Sequence, residues 1–327
     1  MKILIIQLRQ LGDVLLSTPL SKALKDNIKN VSVHFLTSEA SYGILKNNPY
    51  IDKIYLLNNG FTNELNTLIK IRKEKYDAVL DLQRTGRSKR LTLLSGAKIK
   101  AAFFSNDNFY YNKLIKSTTS GYTTFERMDI LNAVGLNIDN KTDYLPKMYH
   151  NEEDINKAKE YLKSINTEKF FIVNPCARKK EKMWDAVQFG KLSNEIYLET
   201  GIKPIVVYGS DREKELAILC YNEIQNAVLI NKPFSITEFA ALMSLSEFSL
   251  GNDSFSSHIA VSCGIKTIVI CGPTSGWFPK IDSVLPIYKN LPCQPCNDYK
   301  SCKFNMACYK TLSYKDISDK IIRFIDN

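Results

Sequence analysis

Residues 247–274 read "EFSLGNDSFSSHIAVSCGIKTIVICGPT". Within them "EFSLGND" reads as a strand, "SSHIAVSCG" as a short helix ending on a glycine, and "KTIVICG" as a second strand. Both strands are short apolar runs bounded by turn residues, the pattern of strands covered on both faces. Strand, helix and strand in succession form one step of a parallel, doubly wound sheet. The same stretch places Asp253, Ser254, Ser256, Ser257 and His258, one of only three histidines in the chain, where the first strand ends and the helix begins. In a parallel sheet, that is the end at which ligands bind.

The alternation extends both ways. Upstream, "KFFIVNP" reads as a strand, "WDAVQFGKLSNEIYLETG" as a helix ending at Gly201, "KPIVVYG" as a strand, "DREKELAILCYNEI" as a helix, "AVLIN" as a strand and "SITEFAALMSLS" as a helix. An earlier series runs through the strands "KILIIQL", "VSVHFLT", "DKIYLLN" and "DAVLDLQ". The helical patterns "DVLLSTPLSKALKDNI", 39–46, "NELNTLIKIRKEKY" and "ERMDILNAVGL" separate or follow them. The two series break near residues 140–168, around the helical run "NEEDINKAKEYLKSI". The expected architecture is α/β, with two Rossmann-like, doubly wound parallel-sheet domains. No fixed-period repeat or low-complexity tract is visible.

With 327 residues, 44% hydrophobic and 24% charged, the chain has ordinary globular composition and room for two cores. No window approaches 18 uninterrupted apolar residues, so no transmembrane helix is expected. The opening "MKILIIQLRQLGD" has an apolar run only from Ile3 to Ile6, too short for the core of a signal peptide, and reads as a buried strand. The expectation is a cytoplasmic protein whose eight cysteines stay out of a disulfide framework. Cys176, Cys220, Cys263 and Cys271 read as small core residues.

Charge is uneven. Residues 1–150 hold 22 Lys and Arg against 13 Asp and Glu, whereas residues 151–327 hold 22 against 21. Within the basic half, "RTGRSKRLTLLSGAKIK" (84–100) has six cations and no anion. Two readings stay open: a solvated helix face, or a surface that meets an anionic partner. No helix-turn-helix, zinc-finger or RNA-sheet pattern accompanies it, so nucleic acid is not the expected partner. A phosphorylated or acidic glycolipid matches the charge as well.

The turns at strand ends carry the chemistry. In "LRQLGDVLLSTP", Gly12 lies in the turn and Asp13 at a helix start, where it can cap the helix or serve as a general base. "NPCARKKEKMW" offers Arg178, Lys179, Lys180 and Lys182 before a helix, either a solvated loop or a phosphate clamp without P-loop spacing. In "GNDSFSSHIA", the serines Ser254, Ser256 and Ser257 can cap the helix, and its first amides point outward. "CQPCNDYKSCKFNMAC" spaces Cys293, Cys296, Cys302 and Cys308 as C-x2-C-x5-C-x5-C. Four thiolates suit a structural zinc or iron; reduced structural thiols or a redox pair would suit the same spacing.

Taken in order, these turns resemble the ADP-heptose:lipopolysaccharide heptosyltransferases, glycosyltransferase family 9. The likeness runs through "KILIIQLRQLGDVLLSTPL", "LDLQRTGRSKRL", "NPCARKKEKMW" and "GNDSFSSHIAVSCGIKTIVICGPT", with the Cys-x-Pro-Cys cluster near the end. It implies a GT-B fold whose two domains face a central cleft. An acceptor-binding domain would span 1–165 and a nucleotide-sugar-binding domain 166–310, with a C-terminal helix at 311–327 returning to the first. It further implies inverting, metal-independent transfer of heptose from ADP-heptose to an acidic lipopolysaccharide inner-core acceptor. The enzyme would work in the cytoplasm, peripheral at the inner face of the inner membrane.

By matched position, the resemblance makes Asp13 the base and Lys182 the holder of the donor phosphates. Asp253, Ser254, Phe255, Ser256, Ser257 and His258 would form the donor cradle, with Gly272, Pro273 and Thr274. Glu213, beside Gly209, would face the ribose. Gly12, Arg84, Arg87 and Lys89 would meet the acceptor. Two residues depart from the family pattern: Phe255 and Cys176 stand where glycines are usual. They leave room for a family member that uses another nucleotide sugar. A protein acceptor, or a non-catalytic binding protein, also stays open. A dinucleotide-dependent oxidoreductase is disfavoured, since no Gly-x-Gly-x-x-Gly follows a strand.

Overall fold

The computed structural model describes residues 1–106, 108–274, 277–297 and 302–326. They divide into two compact units, Met1–Tyr149 and His150–Asn327. The first contains strands β1 (Lys2–Ile6), β2 (Ser32–Thr37), β3 (Lys53–Leu56), β4 (Ala78–Asp81), β5 (Ile99–Phe103) and β6 (Lys113–Ile115). Its helices are α1 (Leu11–Leu15), α2 (Pro19–Asn27), α3 (Tyr42–Leu45), α4 (Phe61–Glu74), α5 (Gly86–Leu94) and α6 (Thr123–Met128). The sheet order is β3-β2-β1-β4-β5-β6, with parallel pairing throughout. Ile5 of β1 lies opposite Phe35 of β2 and Leu80 of β4. All three are fully buried, as a strand covered on both faces requires.

The second unit contains α7 (Glu152–Ser164), β7 (Phe170–Asn174), α8 (Ala186–Thr200), β8 (Lys203–Val206), α9 (Asp211–Tyr221) and β9 (Val228–Leu229). It continues through α10 (Ile236–Ser244), β10 (Phe248–Asn252), α11 (Phe255–Ser262), β11 (Lys266–Ile270), β12 (Val284–Ile287), α12 (Ala307–Lys310) and α13 (Ser318–Asp326). The parallel sheet runs β12-β11-β10-β7-β8-β9. This repeats the winding of the first unit: the opening strand lies in the middle, two strands build one way, and three cross back to build the other. Each sheet therefore has one switch point, between β1 and β4 and between β7 and β10. In open parallel sheets, the carboxyl ends of the strands at such a point are where ligands bind.

In the second core, the rings of Phe171 and Phe248 stack at 4.5 Å. Gly190 lets α8 approach the end of α9, because a Cβ there would lie 2.6 Å from Glu223 Cβ. Helix α7 belongs to this unit: the buried Asp154 carboxylate accepts a 2.9 Å hydrogen bond from Thr237 of α10. At the other end of the chain, Ile317 and Ile321 join the same core. Some elements differ from the sequence expectation. Strands β5, β6 and β12 read "IKAAF", "KLI" and "VLPI", whose Lys and Pro residues interrupt any apolar run. The stretch expected as one helix at "ERMDILNAVGL" is α6 followed by a 3-10 segment, Asp129–Val134.

Candidate active site

At the first switch point, the turn after β1 leads into α1, only five residues long, whose Gly12 and Asp13 come from the "RQLGD" motif. Asp13 is pinned by both oxygens. Oδ2 accepts the Gln10 backbone N–H at 3.1 Å, and Oδ1 accepts Arg127 Nη2 at 2.5 Å. Arg127 comes from α6 and also donates to the Asp13 carbonyl and, at 3.0 Å, to Ser17 Oγ. The carboxylate still shows 25% of its side chain to solvent, so a proton donor can reach it.

The turn after β4 is stitched to this one by Gln83. Its Oε1 accepts the N–H groups of Leu8 and Arg9, both at 2.9 Å, and Gln7 Nε2 at 3.1 Å. Asp81, fully buried at the end of β4, accepts the N–H groups of Gln83 and Arg84 and the Tyr111 hydroxyl. Burial pushes its carboxyl up, against those donors. These bonds hold Arg84 in the left-handed region at φ 51°, with a buried Nε that has no partner among the described residues. Arg87 reaches Asn59 Oδ1 at 3.2 Å and Glu64 at 3.5 Å, and Lys89 lies over the Tyr110 ring at 5.6 Å. The basic run is thus partly countered by Glu64 of α4, which also takes Arg90 at 2.8 Å.

Ahead of α6, Asp129 organises the loop that leads into it. Its carboxylate accepts from Ser117 Oγ, the Thr118 and Thr119 amides, Thr119 Oγ1 and Lys141. Burial opposes ionisation here, but the Lys141 ammonium and those donors outweigh it and hold the carboxyl at about 2.

At the second switch point, the loops after β7 and β10 meet. Lys182 Nζ lies 2.6 Å from Asp253 Oδ2, and Thr274 Oγ1 donates to the same oxygen at 2.5 Å. His258 Nε2 is 4.0 Å from Asp253 Oδ1, and its ring stacks on Phe278 at 4.5 Å. Lys182 also lies over Trp277 at 5.3 Å. Asn252 binds the two loops together: its Oδ1 accepts the Trp184 N–H at 2.9 Å, and its Nδ2 donates to the Pro175 carbonyl at 2.8 Å.

The serines do not behave as the sequence suggested. Ser254 occupies the N-cap of α11 but makes no side-chain cap bond. Ser257 Oγ donates back to the Asn252 carbonyl at 2.7 Å, and the Oγ atoms of Ser254 and Ser256 are buried without a partner among the described residues. The carbonyl at the end of β10 takes the Ser257 hydroxyl, while Asp253 is engaged by Lys182 and Thr274 rather than by the helix. Two hydroxyls are therefore left to bind something else.

Phe255 begins α11 without a positive φ, so the local backbone does not demand a glycine there. Cys176 is 1% exposed, and burial pushes its thiol up to about 12, the behaviour of a packing residue rather than a nucleophile. In the neighbouring turn, Glu213 at the start of α9 folds back to accept the Gly209 N–H at 2.8 Å. Gly272 is required by packing, since a Cβ there would enter the Tyr309 ring. Pro273 accepts the Asn297 N–H through its carbonyl at 2.7 Å.

Residues 298–301 of the cysteine cluster lie outside the described residues. Cys308 is buried, and burial, followed by Cys302, pushes its thiol up. Four sulfurs are a donor set that zinc or iron accepts. Among the described residues, however, no three His, Cys, Asp or Glu side chains are grouped so that they could hold a metal ion, and no reaction step is assigned to one.

Of the expected residues, the structure brings Lys182, Asp253, His258 and Thr274 into one cluster and, in the other unit, sets Asp13 in α1, Arg84 in the turn after β4 and Arg87 in the first turn of α5. Sequence reasoning missed Arg127, Gln83 and Asn252. Arg127 is 114 residues from Asp13 and in no motif with it. For Gln83 a signal exists within "LDLQRTGR": a glutamine just beyond a buried strand can tether a neighbouring turn.

A family model described as Glycosyltransferase family 9 (heptosyltransferase) matches residues 67–309. Lipopolysaccharide heptosyltransferase 1 of Campylobacter coli is 26% identical over 301 residues, covering 85% of each chain. Among solved structures, the glycosyl transferase family 9 protein from Veillonella parvula DSM 2008 has a TM-score of 0.84 at 19% identity, over 99% of this chain and 97% of that one. The E. coli ADP-heptose lps heptosyltransferase II has a TM-score of 0.80 at 14% identity, over 99% and 98%. At these identities the structures speak for the fold, and they agree with the expected pair of parallel-sheet Rossmann-like units.

Proposed function

The chain belongs to glycosyltransferase family 9 (heptosyltransferase) and is a glycosyltransferase; on that premise we propose that it moves a heptose from ADP-heptose to an anionic lipopolysaccharide inner-core acceptor, with inversion and without a metal. The observation that carries the donor half is the Lys182–Asp253–Thr274 cluster beside the unpartnered hydroxyls of Ser254 and Ser256. A cation and two idle donors at the start of a helix are the components of a diphosphate site. Heptose as the transferred sugar is supported by the heptosyltransferase family description and by the lipopolysaccharide heptosyltransferase of Campylobacter coli.

In the proposed step, an acceptor hydroxyl oxygen attacks the anomeric carbon of the donor as the bond from that carbon to the phosphate oxygen breaks. The transition state is oxocarbenium-like, as in other glycosyl transfers. The hydroxyl proton passes to Asp13, which Arg127 and the Gln10 amide hold in one orientation. ADP leaves, and Lys182 exchanges its Asp253 partner for the diphosphate oxygens as charge develops on them. Glu213 and Gly209 bind the nucleoside side, with Gly272 and Pro273 shaping the loop beside Thr274, and His258 flanks the sugar. Gly12, Arg84, Arg87 and Lys89 receive the acidic acceptor.

Phe255, in the donor cradle where the family pattern has glycine, favours a second reading in which the donor is another nucleotide sugar. Thermal-shift titration with ADP, UDP, GDP, CMP and ADP-heptose separates the two. A bound ligand raises the melting temperature by mass action, and the proposal expects a rise with ADP and a larger one with ADP-heptose. A rise with UDP or GDP alone would replace the donor, and no rise with any nucleotide would remove the reading.

No helix among the described residues is long and apolar enough to cross a membrane. We assign the work to the cytoplasmic side, with the enzyme meeting its lipid-linked acceptor as a peripheral protein.

A further inference from the structure

Helix α4 has two apolar faces. One, with Ile71 and Leu68, packs into the core of the first unit. The other carries Phe61, Leu65 and Ile69, spaced four residues apart, with exposures of 82%, 45% and 45%. Leu94 at the end of the neighbouring α5 adds another apolar side chain, 45% exposed. Arg72 donates to the Leu94 carbonyl at 3.1 Å and so closes the gap between the two helices. Scattered exposed leucines need no explanation, but an aligned row on the outward side of an amphipathic helix does.

The charge around the row is one-sided. Residues 61–100 hold ten Lys and Arg against four Asp and Glu. Two of those acids are already paired: Glu64 with Arg90 at 2.8 Å, and Glu74 with Lys2 and Lys53, both at 2.7 Å. By helical spacing, Lys73 and Lys70 follow the row on its outer side. Both helices start after strands that end at the carboxyl edge of the sheet, as α1 with Asp13 does. The row therefore begins at that edge with Phe61 and runs away from it through Leu65 and Ile69 towards Leu94 at the end of α5.

We propose that the outward face of α4, with Leu94 of α5, docks on an anionic lipid surface, Phe61, Leu65 and Ile69 entering the headgroup layer while the flanking lysines and arginines meet the lipid charges. A helix lying in the interface plane with its apolar side down and cations along its flanks has this composition. A second copy of the chain is the poorer occupant, because a two-fold contact would bring two basic faces together. Nucleic acid leaves the apolar row unused. The proposal rests on the reading that the acceptor is lipid-anchored, and it gives the enzyme a way to reach it.

The test is flotation of the full chain with vesicles of phosphatidylcholine alone and of phosphatidylcholine with phosphatidylglycerol. The wild type should bind the anionic vesicles, and salt should weaken that binding. Phe61→Ser/Leu65→Ser/Ile69→Ser should weaken it about tenfold or more by removing the inserted apolar surface, and Lys70→Glu/Lys73→Glu should weaken it too. Both variants should keep the wild-type melting temperature and transfer to a deacylated, water-soluble acceptor. Wild-type binding that ignores lipid charge, or a triple serine variant that binds vesicles as well as wild type, overturns the proposal. A triple variant that changes only from dimer to monomer in sedimentation overturns it in favour of a second copy. Failure of the wild type to transfer heptose to the soluble acceptor breaks the functional reading instead, and leaves the vesicle result to judge the docking face separately.

Discussion

Asp13 shows 25% of its side chain to solvent and is held by an arginine that lies 114 residues further along the chain. Asp253 shows 4% and is held by Lys182 and by Thr274 of the next loop. Both acids follow the strands that flank a switch point, and the two sheets wind in the same order. The difference lies in what each carboxylate is free to do. Asp13 is oriented but accessible, as a group that must receive a proton needs to be. Asp253 is buried against a cation and neutralises Lys182 until a stronger anion displaces it. On the proposed function, the same topology serves a proton acceptor in one unit and a phosphate holder in the other, and the two should fail in different ways.

The sharpest break is Asp13→Asn. It should lower kcat by about 10²–10⁴-fold, the usual range for loss of a positioned base, and leave ADP affinity unchanged; single-turnover transfer and ADP calorimetry read the two. Lys182→Ala should abolish the ADP-induced thermal shift and also lower the melting temperature, since it strands Asp253. Losing one partner of such a pair costs about 3 kcal/mol, and Lys182→Ala/Asp253→Ala should recover part of that loss without recovering transfer. Replacing Arg127 by Lys keeps the charge but loses the two-pronged grip, so kcat should fall about tenfold or more with KM for the donor unchanged; a matching change in donor KM would make Arg127 merely structural.

The smallest expected effect is in stability against pH. Asp129 has a folded-state value of about 2, below its ordinary 3.8. Its contribution is therefore complete above about pH 4 and is lost as pH falls through about 2, amounting to about 2 kcal/mol. Urea unfolding of wild type and Asp129→Asn should show their stability difference shrinking across that window, and a difference that stays constant would assign the loop's order to something else.

Much of the fold was legible because its signals are local. The runs Ile3–Ile6 and Phe170–Val173 read as buried strands, and they are fully buried. The repeated winding of the two sheets was not legible as a sequence repeat, because topology constrains burial patterns rather than residue identities. Edge strands were missed where partial exposure admits Lys113 in β6 and Pro286 in β12. Local contacts were legible where neighbours in one motif meet, as where His258 lies beside Asp253. The site was not legible where a partner arrives through tertiary packing: nothing in "TTFERM" announces that Arg127 reaches Asp13, or in "EFSLGN" that Asn252 binds the loop before Trp184.

The central claim is the division of labour between the two units, and titration calorimetry of ADP against Asp13→Asn and Lys182→Ala tests it most directly. The account predicts wild-type affinity for Asp13→Asn and a loss of at least about tenfold for Lys182→Ala, the effect of removing a charge-assisted contact to phosphate. Equal weakening in both variants, or wild-type affinity in Lys182→Ala, would contradict it.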